Sequence, residues 1–251
     1  MQKKILITIL VDKSYSMKLR VRQTVAGLNE YIGTLREADT DTDTRINIVT
    51  FSGGQPKSRF GACEMSMDVI LSGQKISEAR SLVEADMNCE GSTPLLAAIQ
   101  ETIMNVSKNI GERTDIQPIF VIQTDGEENT SSNIHFGEEP SNRSVSFGDI
   151  QELIKAKENA GWEFVFMGCD VNSYLDGGMM GMSRSKTMSY GDDEASTLSA
   201  FRATAMATSG YISGNSLSME YTDADKIRSG DKYAGYEPKT LWTSAQTKEA
   251  D

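Results

Sequence analysis

The sequence predicts an α/β fold of the doubly wound, Rossmann-like kind: a mostly parallel six-stranded sheet with one antiparallel edge strand and helices on both faces. Three observations predict it. Short runs rich in β-branched residues alternate with segments whose apolar positions recur every three or four residues. The first run, Ile5–Val11, is almost continuously apolar, as a central parallel strand covered on both faces must be. Turn chemistry at Ser52-Gly53-Gly54-Gln55-Pro56 lets the next strand fold back, which makes that edge antiparallel.

The elements follow in order. After Ile5–Val11, the positions Val21, Val25, Leu28, Ile32 and Leu35 lay one apolar stripe along a helix. Arg45–Phe51 reads as the second strand and Phe60–Leu71 as its returning edge partner. A short helix is expected over Ile76–Val83. Glu90-Gly91-Ser92-Thr93-Pro94 opens another, striped by Leu96, Ile99, Ile103, Val106 and Ile110. Ile119–Thr124 is a parallel strand, Asp149–Ala160 a helix and Glu163–Cys169 a further strand. A Gly/Met-rich connection follows, in which Met179-Met180-Gly181-Met182 reads as core filling. A weak strand near Lys186–Tyr190 then leads into a helix from Glu194 to Thr208. The fold is expected to occupy residues 1–214. Two polar stretches break the rhythm: an insertion over residues 127–148, long enough to be functional, and an arm over 215–251 whose aromatics suggest packing on the body.

Composition narrows the function. With 251 residues, 25 Lys+Arg against 36 Asp+Glu and a formal charge of −11, the chain is poorly suited to neutralising phosphates, so no nucleic-acid partner is expected. Three scattered cysteines, Cys63, Cys89 and Cys169, make no C-x-x-C and read as small, unreactive thiols. One histidine excludes a His-rich zinc site. No apolar run is long enough for a signal peptide or membrane span, so the reading places the chain in the cytoplasm with no membrane partner.

The chemistry sits where strands end. Asp12-Lys13-Ser14-Tyr15-Ser16 leaves the first strand with one carboxylate and two hydroxyls at alternate positions. Asp125-Gly126 ends the strand Ile119–Thr124 in the same way, and Thr93 lies just before a helix. If those strands are neighbours where strand order reverses, their carboxyl ends flank the crevice in which open α/β sheets bind ligands. Hydroxyl and carboxylate oxygens are hard donors, suited to Mg²⁺ or Mn²⁺, with Ca²⁺ also compatible.

Asp-x-Ser-x-Ser, then Gly-Ser-Thr-Pro-Leu before a helix, then Thr-Asp-Gly after a later strand resembles a von Willebrand factor type A domain and its metal-ion-dependent adhesion site, over roughly Lys3–Gly214. The resemblance implies that Ser14 and Ser16 bind the metal directly, that Thr93 joins them in a high-affinity state, and that Asp12 and Asp125 act through water or from behind. It also implies a protein partner that presents an Asp or Glu to the ion, without catalysis, as in stand-alone intracellular members from bacteria and their viruses that serve as adaptors or assembly factors. Lys13 and Tyr15, interleaved with the serines, and His135 and Phe136, in the 127–148 insertion, are candidate partner contacts. Two other functions compete with this one. A magnesium-dependent phosphohydrolase of the haloacid dehalogenase type also carries an aspartate at the end of its first strand, but needs an acid where Ser14 stands. A structural component would use the metal only to stiffen loops.

Overall fold

A computed structural model describes residues 4–38, 42–54, 63–126, 128–129, 134–135, 142–169 and 172–235. The apolar run at the start forms β1 (Lys4–Asp12), the centre of the sheet. Parallel neighbours flank it, β2 (Thr44–Gly53) on one side and β4 (Ile116–Thr124) on the other. β3 (Cys63–Lys75) runs antiparallel to β2. β7 (Glu163–Gly168) and β8 (Thr187–Ser189) extend the other side in parallel. These six strands are the sheet the sequence predicts. Two-residue strands β5 (Ile134–His135) and β6 (Asn142–Arg143) add to it at Cys63–Glu64, giving the order β6-β5-β3-β2-β1-β4-β7-β8 among the described residues.

Alternation along β1 decides which helices cover which face. Ile5, Ile7, Ile9 and Val11 pack with Leu28 and Tyr31 of α1 (Val21–Glu37) and Phe201 of α5 (Glu194–Ile212). On the opposite face, Leu10, Phe120 and Ile122 meet Ile99 and Ile103 of α2 (Leu95–Ile110) and Ile150 of α3 (Phe147–Asn159). Both faces are therefore dry. The chain passes from β1 outward through β2 and β3, then returns to the far side of β1 as β4. The carboxyl ends of β1 and β4 are the point where strand order reverses.

Several boundaries differ from the sequence reading, each for a physical reason. Residues Ile76–Val83 form no helix; a turn and an extended stretch precede a short 3-10 turn at Glu84–Asp86. Tertiary hydrogen bonds replace the helical ones there. Asn29 both accepts from the Leu82 N–H (2.8 Å) and donates to its carbonyl (3.0 Å), and Arg36 donates to the Ala79 carbonyl (2.7 Å). β3 continues past Leu71 to Lys75, and of the expected strand Phe60–Leu71 the first residues lie outside the described ones. α3 begins at Phe147 because Ser146 caps it reciprocally with Asp149.

The Gly/Met-rich connection folds as α4 (Asn172–Met179), with Met180 and Met182 buried and Met179 partly exposed. Beyond α5, Met219 and Tyr221 are buried, and the Tyr221 hydroxyl lies 3.0 Å from that of Thr204. α6 (Asp223–Arg228) is fixed by Lys226, which donates to the Arg184 carbonyl (2.6 Å) and sits over the Tyr174 ring. Leu217 is exposed, whereas Tyr236 and Trp242 lie outside the described residues. Among the described residues no helix is long and apolar enough to cross a membrane.

Candidate metal centre

The last residue of β1 is a fully buried aspartate. Asp12 Oδ1 accepts from the Ser14 N–H (2.7 Å), and Oδ2 accepts from the Thr124 hydroxyl (2.7 Å). Pairing of Val11 with Gln123 on the neighbouring strand puts Thr124 beside Asp12. A hydrogen-bonded chain of oxygens leads away from this pair. Ser14 Oγ lies 3.0 Å from Ser16 Oγ, which donates to Asp125 Oδ1 (2.7 Å), just past the end of β4. Asp125 Oδ2 accepts in turn from Arg20 Nη1 (2.8 Å), and its side chain is fully enclosed.

Thr93 arrives from the third turn. Gly53 and Ser92 exchange backbone hydrogen bonds of 2.8 Å, which hang the loop from the end of β2. Asn129 Oδ1 accepts the Thr93 N–H (3.0 Å), fixing the loop, and Glu128 Oε2 accepts that of Leu96 (2.7 Å), one of the open N–H groups at the start of α2. Gly126 leaves room at the centre. A Cβ there would stand 3.3 Å from Thr93 Oγ1, 3.7 Å from Ser16 Oγ and 3.9 Å from Asp12 Oδ2, so oxygens from the Asp12–Ser16 turn and the Thr93 turn surround a point on the third turn, Asp125-Gly126.

That cradle fits a small hard cation: the donors are hydroxyl and carboxylate oxygens, and a missing side chain leaves space among them. Among the described residues no group of three or more His, Cys, Asp or Glu side chains is placed to hold a metal, here or elsewhere; this cradle has two carboxylates and completes its donor set with hydroxyls.

Of the nine candidate residues, the structure brings Asp12, Ser14, Ser16, Thr93 and Asp125 together. Tyr15 is 66% exposed beside them. Lys13 is corrected: it is buried, and its ammonium reaches back to Ser66 (3.0 Å) and Asp68 on β3, so it ties the loop down rather than facing outward. His135 lies in β5, whose partner Cys63–Glu64 runs beside the end of β2. Phe136 lies outside the described residues. Burial pushes the Cys89 thiol up to about 11, with the Asp12 and Asp125 charges adding to it, as an unreactive thiol near two carboxylates requires. Sequence reasoning missed Arg20 and Thr124 as parts of the site, the capping by Glu128 and the loop contact by Asn129. Nothing in the Asp-x-Ser-x-Ser spacing marks an arginine four residues beyond it.

Burial pushes the Asp12 carboxyl from 3.8 up to about 6, outweighing the hydrogen bonds from Thr124 and Ser14 that pull it down. Between those values the folded chain keeps a proton that the unfolded chain has lost, so metal-free stability falls as pH rises through the window. A cation requires the ionised form. Its affinity should therefore weaken about tenfold per pH unit below about 6 and level off above it. Mn²⁺ titrations at pH 5, 6 and 7 check this; an affinity flat across that range would contradict it.

A family model and two solved structures agree with this architecture. A family model described as von Willebrand factor type A domain matches residues 7–204. Among solved structures, proximal thread matrix protein 1 from the mussel byssus is similar at 15% identity and TM-score 0.51, covering 80% of this chain and 47% of that one. The pilus adhesin SpaC from Lactobacillus rhamnosus GG gives 14%, TM-score 0.53, and coverage of 85% and 31%. The manganese-loaded TRAP protein of Plasmodium vivax gives 17%, TM-score 0.47, and 72% and 64%. The chain thus spans about half the length of the mussel protein and under a third of the adhesin. No curated protein sequence matches it significantly.

Proposed function

Because the chain belongs to the von Willebrand factor type A domain family, we propose that it is a metal-dependent protein-binding module in which Ser14, Ser16 and Thr93 hold a divalent cation and a partner's Asp or Glu completes its shell. The observation that carries this reading is the ring of oxygens around the space left by Gly126. A bound Mg²⁺ or Mn²⁺ would supply a positive charge open to one anionic oxygen.

The chain's own residues do the rest. Asp125 accepts the Ser16 proton, so Ser14 is the donor to Ser16 and a Ser16 lone pair is left for the cation. Asp12 fixes the Ser14 backbone and supplies negative charge from behind. Lys13, bound to Asp68, and the Gly53–Ser92 pairing hold two of the loops to the sheet, so little ordering remains to be done on binding. Tyr15 stands exposed at the rim, where it would meet the partner.

Nothing favours phosphoester hydrolysis. The position that would need an acid carries Ser14, whose hydroxyl is engaged with Ser16. The test is capture of a partner by the immobilised chain in Mg²⁺ and in EDTA, beside a Ser14→Ala, Ser16→Ala variant. Capture should require Mg²⁺ and vanish in the variant while the circular dichroism spectrum is unchanged. Equal capture in EDTA would leave only loop stiffening as a role for the metal.

A further inference from the structure

The pairing of Arg20 with Asp125 is not explained by the proposed binding of a cation, and it bears directly on how tightly one is held. Arg20 sits at the junction between the 3-10 turn Tyr15–Leu19 and α1; its N–H donates to the Met17 carbonyl (2.8 Å) and its carbonyl accepts from Thr24 (2.9 Å). From this fixed base the side chain reaches the end of β4, where Nη1 donates to Asp125 Oδ2. Asp125 is fully enclosed, while the arginine is 27% exposed. Arg20 Nε is buried and has no acceptor among the described residues; the guanidinium also meets the Cys169 side chain, and Asp125 is the carboxylate it pairs with.

We propose that Arg20 is a built-in cation that competes with the metal for the charge of Asp125 and so keeps the site's intrinsic metal affinity low. The inference rests on the metal-binding reading above and adds a regulator to the same site. Two carboxylates face the cradle, Asp12 and Asp125. The nearby ammonium of Lys13 is taken up by Asp68, and among the described residues Arg20 is the cation paired with one of the two. The site then presents a single uncompensated negative charge to a doubly charged ion. A partner's carboxylate would supply the charge that is missing, which makes ion and partner bind better together than apart.

Arg20 also orients Asp125, and loss of orientation acts in the opposite direction. The two effects differ in size. Orientation is one hydrogen bond, made to a carboxylate that Ser16 also holds. Repulsion is between a full charge and a divalent ion, joined through two hydrogen bonds and the enclosed Asp125 carboxylate, and a charge acts well beyond hydrogen-bond reach. Repulsion wins, so removing the charge should tighten binding.

The experiment is calorimetric titration with Mn²⁺ at pH 7.5 of the full chain and of Arg20→Gln, Arg20→Met and Arg20→Lys, with melting temperatures in EDTA. The neutral variants should bind Mn²⁺ at least tenfold more tightly than the parent, yet melt lower without metal, because enclosed Asp125 has lost its cation. Arg20→Lys keeps the charge but not the planar fork, and should bind within threefold of the parent. Unchanged or weaker binding by the neutral variants, with measurable binding by the parent, overturns the inference and leaves the metal site standing. If neither neutral variant folds, Arg20→Lys decides alone: parental affinity supports the competing charge, and a tenfold loss means Arg20 only positions Asp125. No binding by any of the four proteins overturns the metal-site reading itself.

Discussion

Replacing Gly91 by alanine is expected to lower the melting temperature by about 10 °C and to remove measurable Mn²⁺ binding. Gly91 has φ +72°, which an alanine adopts only under strain, and its new Cβ would lie 1.6 Å from the Gly53 carbonyl oxygen. The obstacle is backbone, so no side-chain rotation relieves it. Strain and overpacking together cost about 3 kcal/mol, which for a chain of this size is a shift of about 10 °C. The damage falls on the site because Gly91 joins its loops. Its carbonyl accepts the Tyr15 N–H (3.0 Å), while its neighbour Ser92 is paired with Gly53 and leads into Thr93. Moving the strand away separates Thr93 from Ser14 and Ser16. Thermal melts in EDTA and a Mn²⁺ titration check both halves; parental values in each would show that the loops are not held as described.

The second large effect has opposite signs for stability and for binding. Asp12→Asn should raise metal-free stability at pH 7 by about 1–2 kcal/mol and weaken Mn²⁺ binding at least a hundredfold. Keeping Asp12 ionised in the fold at pH 7 costs on the order of 3 kcal/mol, from its rise from 3.8 to about 6 at 1.36 kcal/mol per unit. An amide removes that cost. It recovers only part, because its N–H₂ must face either the Ser14 N–H or the Thr124 hydroxyl, both now donors to Asp12. Stability given up for a charge is what a binding site requires, and a purely structural aspartate would show the reverse. Denaturant melts at pH 5 and pH 7 distinguish them. The gain should shrink at the lower pH, where Asp12 already carries its proton; a loss of stability at both would count against a cation-binding role.

What the sequence made legible is what depends on local pattern. Ile5–Val11 had to be a doubly covered central strand, and Asp12-x-Ser-x-Ser, Thr93 and Asp125 each stand at a strand or helix junction that periodicity alone marks. Ile76–Val83 failed because its apolar residues, buried Ala79 and Leu82, are placed by Asn29 and Arg36 from α1 rather than by helical hydrogen bonds. Lys13 failed for a similar reason. Between two metal-ligand candidates it reads as a rim residue, but Asp68, 55 positions on, takes its charge inward. Arg20 meets Asp125 across 105 positions. Partnerships of that span are set by the order β3-β2-β1-β4, and no local pattern encodes them.

The central claim is that side-chain oxygens from three turns converge on one divalent cation. Its most direct test is calorimetric titration of the metal-free chain with Mn²⁺ at pH 7.5, beside the Ser14→Ala, Ser16→Ala variant. The account predicts one ion per chain for the parent and no heat for the folded variant. Saturable heat of equal size in both proteins, or none in the parent, would contradict it.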